Sequence, residues 1–277
     1  MEFTVSQRER LIELGVRAED LRGSFTGAAE RNKTYTKLEQ SRISEGKAQL
    51  ALFRETLRKP SLCLMQERLT ECLTGVGFVQ VATPTILSKK HLRQMSIGDD
   101  HALNDQVYWL DANHCLRPML APNLYYIARD LLNIWEKPIG VFEIGSCFRK
   151  ESQGNSHLAE FTMLNLVEWG TPLATRDQRL TELAAAVMKA AGIEAYAFEY
   201  EDSVVYGSTL DVVCEGIEVA SSSQGPHPLD AAWGITDSWV GIGFGIERLL
   251  QAKEKPNTIR AVGRSLSYLD GVRLNIK

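Results

Sequence analysis

Cysteine is sparse and dispersed. Cys63, Cys72, Cys115, Cys147 and Cys214 form no Cys-x-x-Cys pair and no Cys/His spacing suited to a metal. That excludes a disulfide framework and a structural zinc site of the usual pattern. No run approaches the ~18 consecutive apolar residues of a membrane span, and the opening Met-Glu-Phe-Thr-Val-Ser-Gln-Arg-Glu-Arg lacks the apolar segment of a secretory signal. No membrane contact is expected, and the expected compartment is the cytoplasm. Internal repeats, low-complexity tracts, a Walker lysine and the Rossmann glycine spacing are all missing. Basic charge is not in excess either: 31 Lys/Arg against 35 Asp/Glu leave −4, which argues against a surface coated in phosphate contacts.

The chain does have enough apolar material for a core. At 277 residues, 44% hydrophobic and 24% charged, it suits one large domain, or one domain with a small appendage. Charge is unevenly spread. Residues 1–59 hold 12 Lys/Arg against 9 Asp/Glu, and residues 60–277 hold 19 against 26. A mildly basic arm on an acidic body fits local docking of a polyanion, and fits a solvated helical face about as well.

Residues 1–59 read as a helical arm, with turns at Gly15, Gly23 and Gly27 and too few apolar positions for a large core. From 60 to 277 the composition is that of a folded domain. Ser61 suits the N-cap of a helix with Leu62, Met65, Leu69, Leu73 and Val76 on one stripe, ending at Gly77. Strands are expected at 78–82, 107–110, 139–144 and 161–169, around Phe198, Val212 and Val219, and at 239–244. Helices are expected at 122–135, at 179–191 and from Gly245 onward. Successive strands with few crossovers favour an α+β fold with a mainly antiparallel sheet flanked by helices.

Three segments carry chemistry. Gly77-Phe78-Val79-Gln80-Val81-Ala82-Thr83-Pro84 is a helix end, a strand and a proline. Phe148-Arg149-Lys150-Glu151 follows a strand and leads through Gly154 and His157 to the strand of Phe161 and Asn165. There a guanidinium fork can clamp phosphates and a carboxylate can accept from an amino group, although an Arg149–Glu151 ion pair explains the same residues. In Gly241-Ile242-Gly243-Phe244-Gly245-Ile246-Glu247-Arg248, alternate glycines let a ligand approach the backbone just before a helix that opens with arginine.

Together, and in this order, the three segments resemble motifs 1, 2 and 3 of the class II aminoacyl-tRNA synthetases. Leu116-Arg117-Pro118-Met119-Leu120-Ala121-Pro122-Asn123-Leu124-Tyr125, Phe142-Glu143-Ile144-Gly145, Glu160-Phe161-Thr162-Met163-Leu164-Asn165, Val205-Tyr206-Gly207, Gly225-Pro226-His227 and Ser265-Leu266-Ser267-Tyr268-Leu269-Asp270-Gly271 narrow the resemblance to the pyrrolysyl-tRNA synthetase family. The likeness spans residues 60–277, and residues 1–59 are similar to the short helical segment that precedes the catalytic domain. A chain of this length resembles the bacterial or stand-alone type, which lacks the basic N-terminal tRNA-binding domain of the long archaeal forms.

The resemblance implies the class II catalytic core, ATP and Mg2+, an amino acid substrate and a cognate tRNA for pyrrolysine. It also implies a homodimer, a tRNA-contacting arm at 1–59, and room for a separately encoded N-terminal tRNA-binding protein as partner. It implies catalytic roles for Arg149, which would bridge the α-phosphate and the carboxylate, and for Arg248, which would stack on adenine. Phe161 would cover the other face of the base, Glu151 would accept from its amino group, and His157 would reach the γ-phosphate. Glu218 and Ser221 correspond to the magnesium positions. Ala121, Leu124, Tyr125, Ala128, Val167, Tyr206, Ser223, Trp239 and Gly241 correspond to the side-chain pocket, and Asn165 to the residue that reads a distal amide.

The sequence departs from the family at two places. Ser222-Ser223-Gln224 stands where small or apolar residues are expected, making that wall more polar, and Ala128 stands where a bulkier apolar residue is common, enlarging the pocket floor. A synthetase for phenylalanine or another large amino acid is disfavoured by Asn165 and Tyr206, since phenylalanine has no distal amide to satisfy them. A catalytically silent relative is disfavoured by the presence of Arg149, Glu218 and Arg248, and a non-enzymatic RNA-binding module by the acidic body.

Overall fold

The computed structural model describes residues 1–150, 158–203 and 205–276. Glu151 and His157 lie outside the described residues. The arm holds α1 (Val5–Glu13) and the long α2 (Ala28–Leu52). Thr4 and Gln7 form a capping box at the start of α1, so two otherwise orphaned backbone donors are satisfied. Phe3, Leu11, Val16 and Leu21 are buried in a small cluster of their own.

The body then runs α3 (Ser61–Gly75), β1 (Val79–Gln80), β2 (Ile86–Ser88), α4 (Lys89–Gln94), β3 (His114–Leu116), α5 (Ala121–Leu131), β4 (Ile139–Phe148) and β5 (Glu160–Trp169). It continues with α6 (Arg176–Ala191), β6 (Ala197–Ser203), β7 (Gly207–Cys214), β8 (Ile217–Gly225), α7 (Asp230–Trp233), β9 (Trp239–Gly245), α8 (Ile246–Glu254), β10 (Tyr268–Leu269) and β11 (Val272–Arg273). Seven strands form one sheet in the order β1-β4-β5-β9-β8-β7-β6. Every neighbouring pair is antiparallel except β1 with β4. This is the expected α+β architecture.

The two faces follow from strand periodicity. On β5, Leu164 and Leu166 are fully buried, while Phe161, Met163, Asn165 and Val167 between them are half-buried on the opposite face. Leu164 and Leu166 join Phe142, Ile242 and Phe244 beneath α3, α6 and α8, which contribute Leu69, Leu73, Val187 and Leu249. On the other face a second apolar cluster, including Leu92, Tyr125, Ala128, Trp169, Trp233 and Trp239, walls one end of the sheet. Between these packed regions the central strands carry small or polar side chains, which leaves a cleft.

A buried ion pair ties β4 to the segments before β2 and after β3. Arg117 Nη1 donates to Glu143 Oε1 at 2.7 Å, and the two side chains are 4% and 3% exposed. Glu143 also accepts from the backbone and hydroxyl of Thr83. A Cβ on residue 145 would stand 2.1 Å from Arg117 Nη2, so the guanidinium can lie there only because residue 145 is glycine. The arm docks against the C-terminal part of the body: Asn257 Nδ2, after α8, donates to the carbonyls of Ile12 and Val16, and Gly46 faces Val272 of β11 and Ile276.

Several local expectations are corrected. Ser61 is the first residue of α3 and Pro60 holds the cap position; the Ser61 amide donates to Asp270 Oδ1 instead. Val76 leaves the apolar stripe and is 51% exposed, because the helix has already ended at Gly75. Residues 107–110 form no strand. A 3-10 turn (Ala102–Gln106) precedes them, and Trp109 makes only an isolated bridge to Cys115. The pairing there is taken by β2 with β3, two short strands without a clear alternation of their own. The helix expected to reach Trp135 stops at Leu131.

Candidate active site

The floor of the cleft is β9. Gly241, Gly243 and Gly245 alternate along one face of this central strand, so they present bare backbone where side chains would otherwise stand. The neighbouring side chains lean over it. A Cβ at Gly241 would approach Val167 Cγ2 to 2.8 Å, and one at Gly243 would approach Asn165 Oδ1 to 3.2 Å. The glycine string therefore makes room for Val167 and Asn165, which stand opposite Gly241 and Gly243 on β5.

Above this floor lies a continuous cavity of ≈ 380 Å³. One end is polar, lined by Arg149, Glu218, Ser221 and Arg248 together with Phe161. The other is aromatic and apolar, lined by Ala121, Leu124 and Tyr125 of α5, Val167 of β5, Tyr206, and Trp239 of β9, with Asn165 between the two. Charge at one end and an apolar sleeve at the other suit a long ligand with an anionic head.

Each polar side chain has a local reason for its aim. Glu247 is buried and accepts from the backbone and the hydroxyl of Thr162 at 2.9–3.0 Å, which pins the first turn of α8 to β5. Burial pushes its carboxyl pKa up, opposed by those Thr162 donors. With Glu247 turned inward, Arg248 turns to the cavity, where its Nη1 lies 3.0 Å from the Glu218 carbonyl and 3.2 Å from Glu218 Oε2. Arg149 Nε donates to the Pro118 carbonyl at 3.0 Å, and its guanidinium carbon stands 5.3 Å from the Phe161 ring centre.

Glu218 and Ser221 are three residues apart on β8, a spacing that puts two side chains on opposite faces of a regular strand. Here the register slips: Val213 pairs with Glu218 but Val212 pairs with Ala220, leaving Val219 as an extra residue on β8. This bulge returns Glu218 to the face of Ser221, and both line the cavity.

At the apolar end Tyr125 and Trp239 meet edge to face at 5.9 Å, and Tyr206 meets Trp239 at 6.2 Å. Burial raises the phenol pKa of both tyrosines. Tyr206 and then Asp230 add to the effect at Tyr125, and Asp230 adds to it at Tyr206, so both remain hydroxyl donors at neutral pH.

The model for "tRNA synthetases class II core domain (F)" matches residues 53–270. A crystal structure of pyrrolysyl-tRNA synthetase from Desulfitobacterium hafniense is similar at 51% identity and a TM-score of 0.95, covering 100% of this chain and 99% of that one. A second structure from the same organism, of PylSc, a pyrrolysyl tRNA synthetase, is similar at 49% identity and a TM-score of 0.92, covering 99% and 95%. The chain belongs to the pyrrolysyl-tRNA synthetase family. It is a class II aminoacyl-tRNA ligase, and its sheet flanked by helices is the class II core.

Of the residues carried over from this family, Arg149, Phe161, Glu218, Ser221 and Arg248 meet at the polar end of one cavity. Ala121, Leu124, Tyr125, Asn165, Val167, Tyr206, Ser223, Trp239 and Gly241 line the rest. Ala128 does not reach it. That residue lies one helical turn beyond Tyr125 on α5, fully buried in the apolar cluster, so its small size bears on helix packing rather than on the pocket floor. The polar departure at Ser222-Ser223-Gln224 also resolves. Ser223 pairs with Gly241 and faces the cavity, whereas the Ser222 hydroxyl donates to the Leu210 carbonyl and the Gln224 amide to Asp177 Oδ1. Met119, Met163 and Trp169 line the cavity without having been anticipated, since an apolar residue in a core strand or loop carries no sequence signal of a ligand.

Proposed function

We propose that this class II synthetase activates pyrrolysine, or a related Nε-acyl-lysine, with ATP and transfers it to the cognate tRNA. The observation that carries the reading is the lining of the cavity: two arginines toward the Gly245 end of β9, aromatic side chains toward Trp239, and one amide-bearing side chain, Asn165, between them. Lysine alone would leave the sleeve unfilled and Asn165 without a partner. Phenylalanine would leave the amide unpaired, and burying an unsatisfied polar group costs about 1–3 kcal/mol.

The chemistry needs no general base, because the attacking carboxylate is already ionised. Arg149 would hold the carboxylate and the α-phosphate together and offset the charge that builds on phosphorus during attack, while pyrophosphate departs. Arg248 would lie along the adenine, with Phe161 on the opposite face. The Glu218 carboxylate and the Ser221 hydroxyl are hard oxygen donors brought to one face by the bulge, a donor set suited to Mg2+ held mainly by phosphates. When bound, the ion supplies charge neutralisation along the triphosphate. Glu151 and His157 belong to the same nucleotide-binding reading. We take residues 1–59 as a tRNA-contacting arm on a catalytic domain at 60–277. We further infer a homodimer built through the segment of β1, with a separately encoded tRNA-binding protein as companion. No helix among the described residues is long and apolar enough to cross a membrane.

Amino-acid-dependent ATP–pyrophosphate exchange across pyrrolysine, several Nε-acyl-lysines, lysine, phenylalanine and the other standard amino acids tests the reading. Exchange with pyrrolysine or a bulky acyl-lysine is expected, with little from lysine or phenylalanine. A standard amino acid as the best substrate would overturn it.

Ser223→Val probes the departure in the pocket wall. The added apolar contact, roughly 40 Å² at about 25 cal/mol per Å², is worth about 1 kcal/mol. The KM for a purely hydrocarbon acyl-lysine should fall about fivefold, and that for a ligand hydrogen-bonded to the hydroxyl should rise. The KM for ATP should stay fixed. Steady-state kinetics with two acyl-lysines differing only in terminal polarity decide it.

A further inference from the structure

Two of the aromatic walls are held by a residue that does not line the cavity. Asp230, 3% exposed, opens α7 behind the pocket. Its Oδ1 accepts from the Tyr125 hydroxyl at 2.9 Å and from Trp239 Nε1 at 3.0 Å. Its Oδ2 accepts from Trp239 Nε1 at 3.0 Å and from the His227 amide at 2.6 Å. One side chain thus ties α5, β9 and the loop after β8 together. Through His227, whose Nε2 lies 3.1 Å from the Tyr206 carbonyl, it also reaches the segment that carries the third aromatic wall.

The surroundings leave these rings few alternatives. A Cβ on residue 225 would sit 1.9 Å from Trp239 Nε1, so the glycine there permits the indole to turn its N–H toward Asp230. Tyr125 is stacked on Trp233 at 5.6 Å with 20° between the planes. Both donors are buried among apolar side chains, where a hydroxyl or indole N–H without an acceptor is costly. If Asp230 no longer accepts, both donors lose the acceptor that fixes their orientation, and the spacing of the walls they form is no longer set.

We propose that Asp230 is a positioning residue for side-chain selection: by accepting from Tyr125 and Trp239 together, it sets the length of side chain that the pocket admits. This rests on the reading of the sleeve as the site of a long, amide-bearing side chain. The role differs from that of a cavity-lining residue, since Asp230 acts only through the two rings it holds.

The test uses Asp230→Ala, Tyr125→Phe, Trp239→Phe and the double variant Tyr125→Phe/Asp230→Ala in the full chain, with Asp230→Asn, which keeps one acceptor oxygen, as the conservative variant. ATP–pyrophosphate exchange is measured over a series of Nε-acyl-lysines of increasing acyl length. For Asp230→Ala the KM for the acyl-lysine preferred by the parent should rise about tenfold and for Asp230→Asn by less, with the KM for ATP within about twofold in both. The preferred acyl length should shift. Tyr125→Phe should shift it in the same direction, and adding it to Asp230→Ala should cause little further change, since both remove the same hydrogen bond.

A merely structural role would instead lower the fraction of active enzyme and the melting temperature, leaving both KM values and the length preference where they were. That outcome overturns the proposal, as does additivity of the two substitutions. If the Asp230 variants fail to fold, Tyr125→Phe and Trp239→Phe remove the donors and leave the carboxylate, and an unchanged length preference in both sinks the idea. Failure of the substrate reading is distinguishable, because it appears in the parent chain as exchange with a standard amino acid. The comparison of variants is then made on that amino acid and its shorter and longer homologues.

Discussion

Arg149→Ala should lower amino-acid-dependent exchange by about 10²–10³-fold, the loss expected when one preorganised donor to transition-state charge is removed. The melting temperature should change little. Arg149 follows the end of β4 and lines the cavity, where its Nε donates to the Pro118 carbonyl and its guanidinium faces Phe161. Arg117 provides the contrast. It lies in the same region of the molecule, but its guanidinium is buried against Glu143. Arg117→Ala leaves that carboxylate buried without its cation, at a cost of about 3–5 kcal/mol, so the fold itself should fail at a lower temperature. Differential scanning calorimetry beside exchange kinetics separates the two. If Arg149→Ala melts as early as Arg117→Ala, Arg149 is a structural ion-pair partner and the assignment of the chemistry to it is wrong.

Reversing three lysines on the arm should cut kcat/KM for tRNA about 10²-fold at low salt while leaving pyrophosphate exchange within about twofold. Lys33, Lys37 and Lys47 are all exposed on α2, and at 3.6 residues per turn they fall on one stripe with Gln40 and Ser44, free of acidic residues. Such a stripe is a local basic surface on a chain whose net charge is negative. In Lys33→Glu/Lys37→Glu/Lys47→Glu the logarithmic salt dependence of tRNA binding should flatten by roughly one unit for each phosphate that the arm no longer neutralises. Equal losses in exchange and in tRNA charging would place α2 in the catalytic fold instead. Because these lysines face solvent, the variant tests binding without disturbing the arm's packing on Val272 and Ile276.

How far the site was legible depended on how local its causes are. Phe161, Asn165, Val167 and Gly241 were named through resemblance, and the strand alternation of β5 and the glycine string of β9, period-two patterns within single strands, are what put them on a common face. For Glu218 and Ser221, also named through resemblance, no local pattern agrees: their spacing on a regular strand would separate them, and the bulge at Val219 that joins them leaves no mark in the sequence. Ala128 was misplaced for a related reason. It shares a helical stripe with Tyr125, but how far along α5 the cavity extends depends on what packs against the helix.

By itself, the sequence determined that a basic helical arm precedes an α+β body, that an antiparallel sheet forms its centre, and that the three class II motifs occur in order. These follow from residue periodicity, turn chemistry and short contiguous motifs, each written within a few neighbouring positions. Tertiary structure decided that Ser223 lines the cavity while the Ser222 hydroxyl bonds to Leu210 and the Gln224 amide to Asp177, and that Glu247 is held by Thr162 while Arg248 reaches Glu218. It also decided that Asp230 joins Tyr125, 105 residues before it, to Trp239 nine residues after it. Contacts of that kind satisfy buried donors and acceptors between elements distant in the chain, and their partners are fixed by how the strands and helices pack rather than by any local pattern of residues.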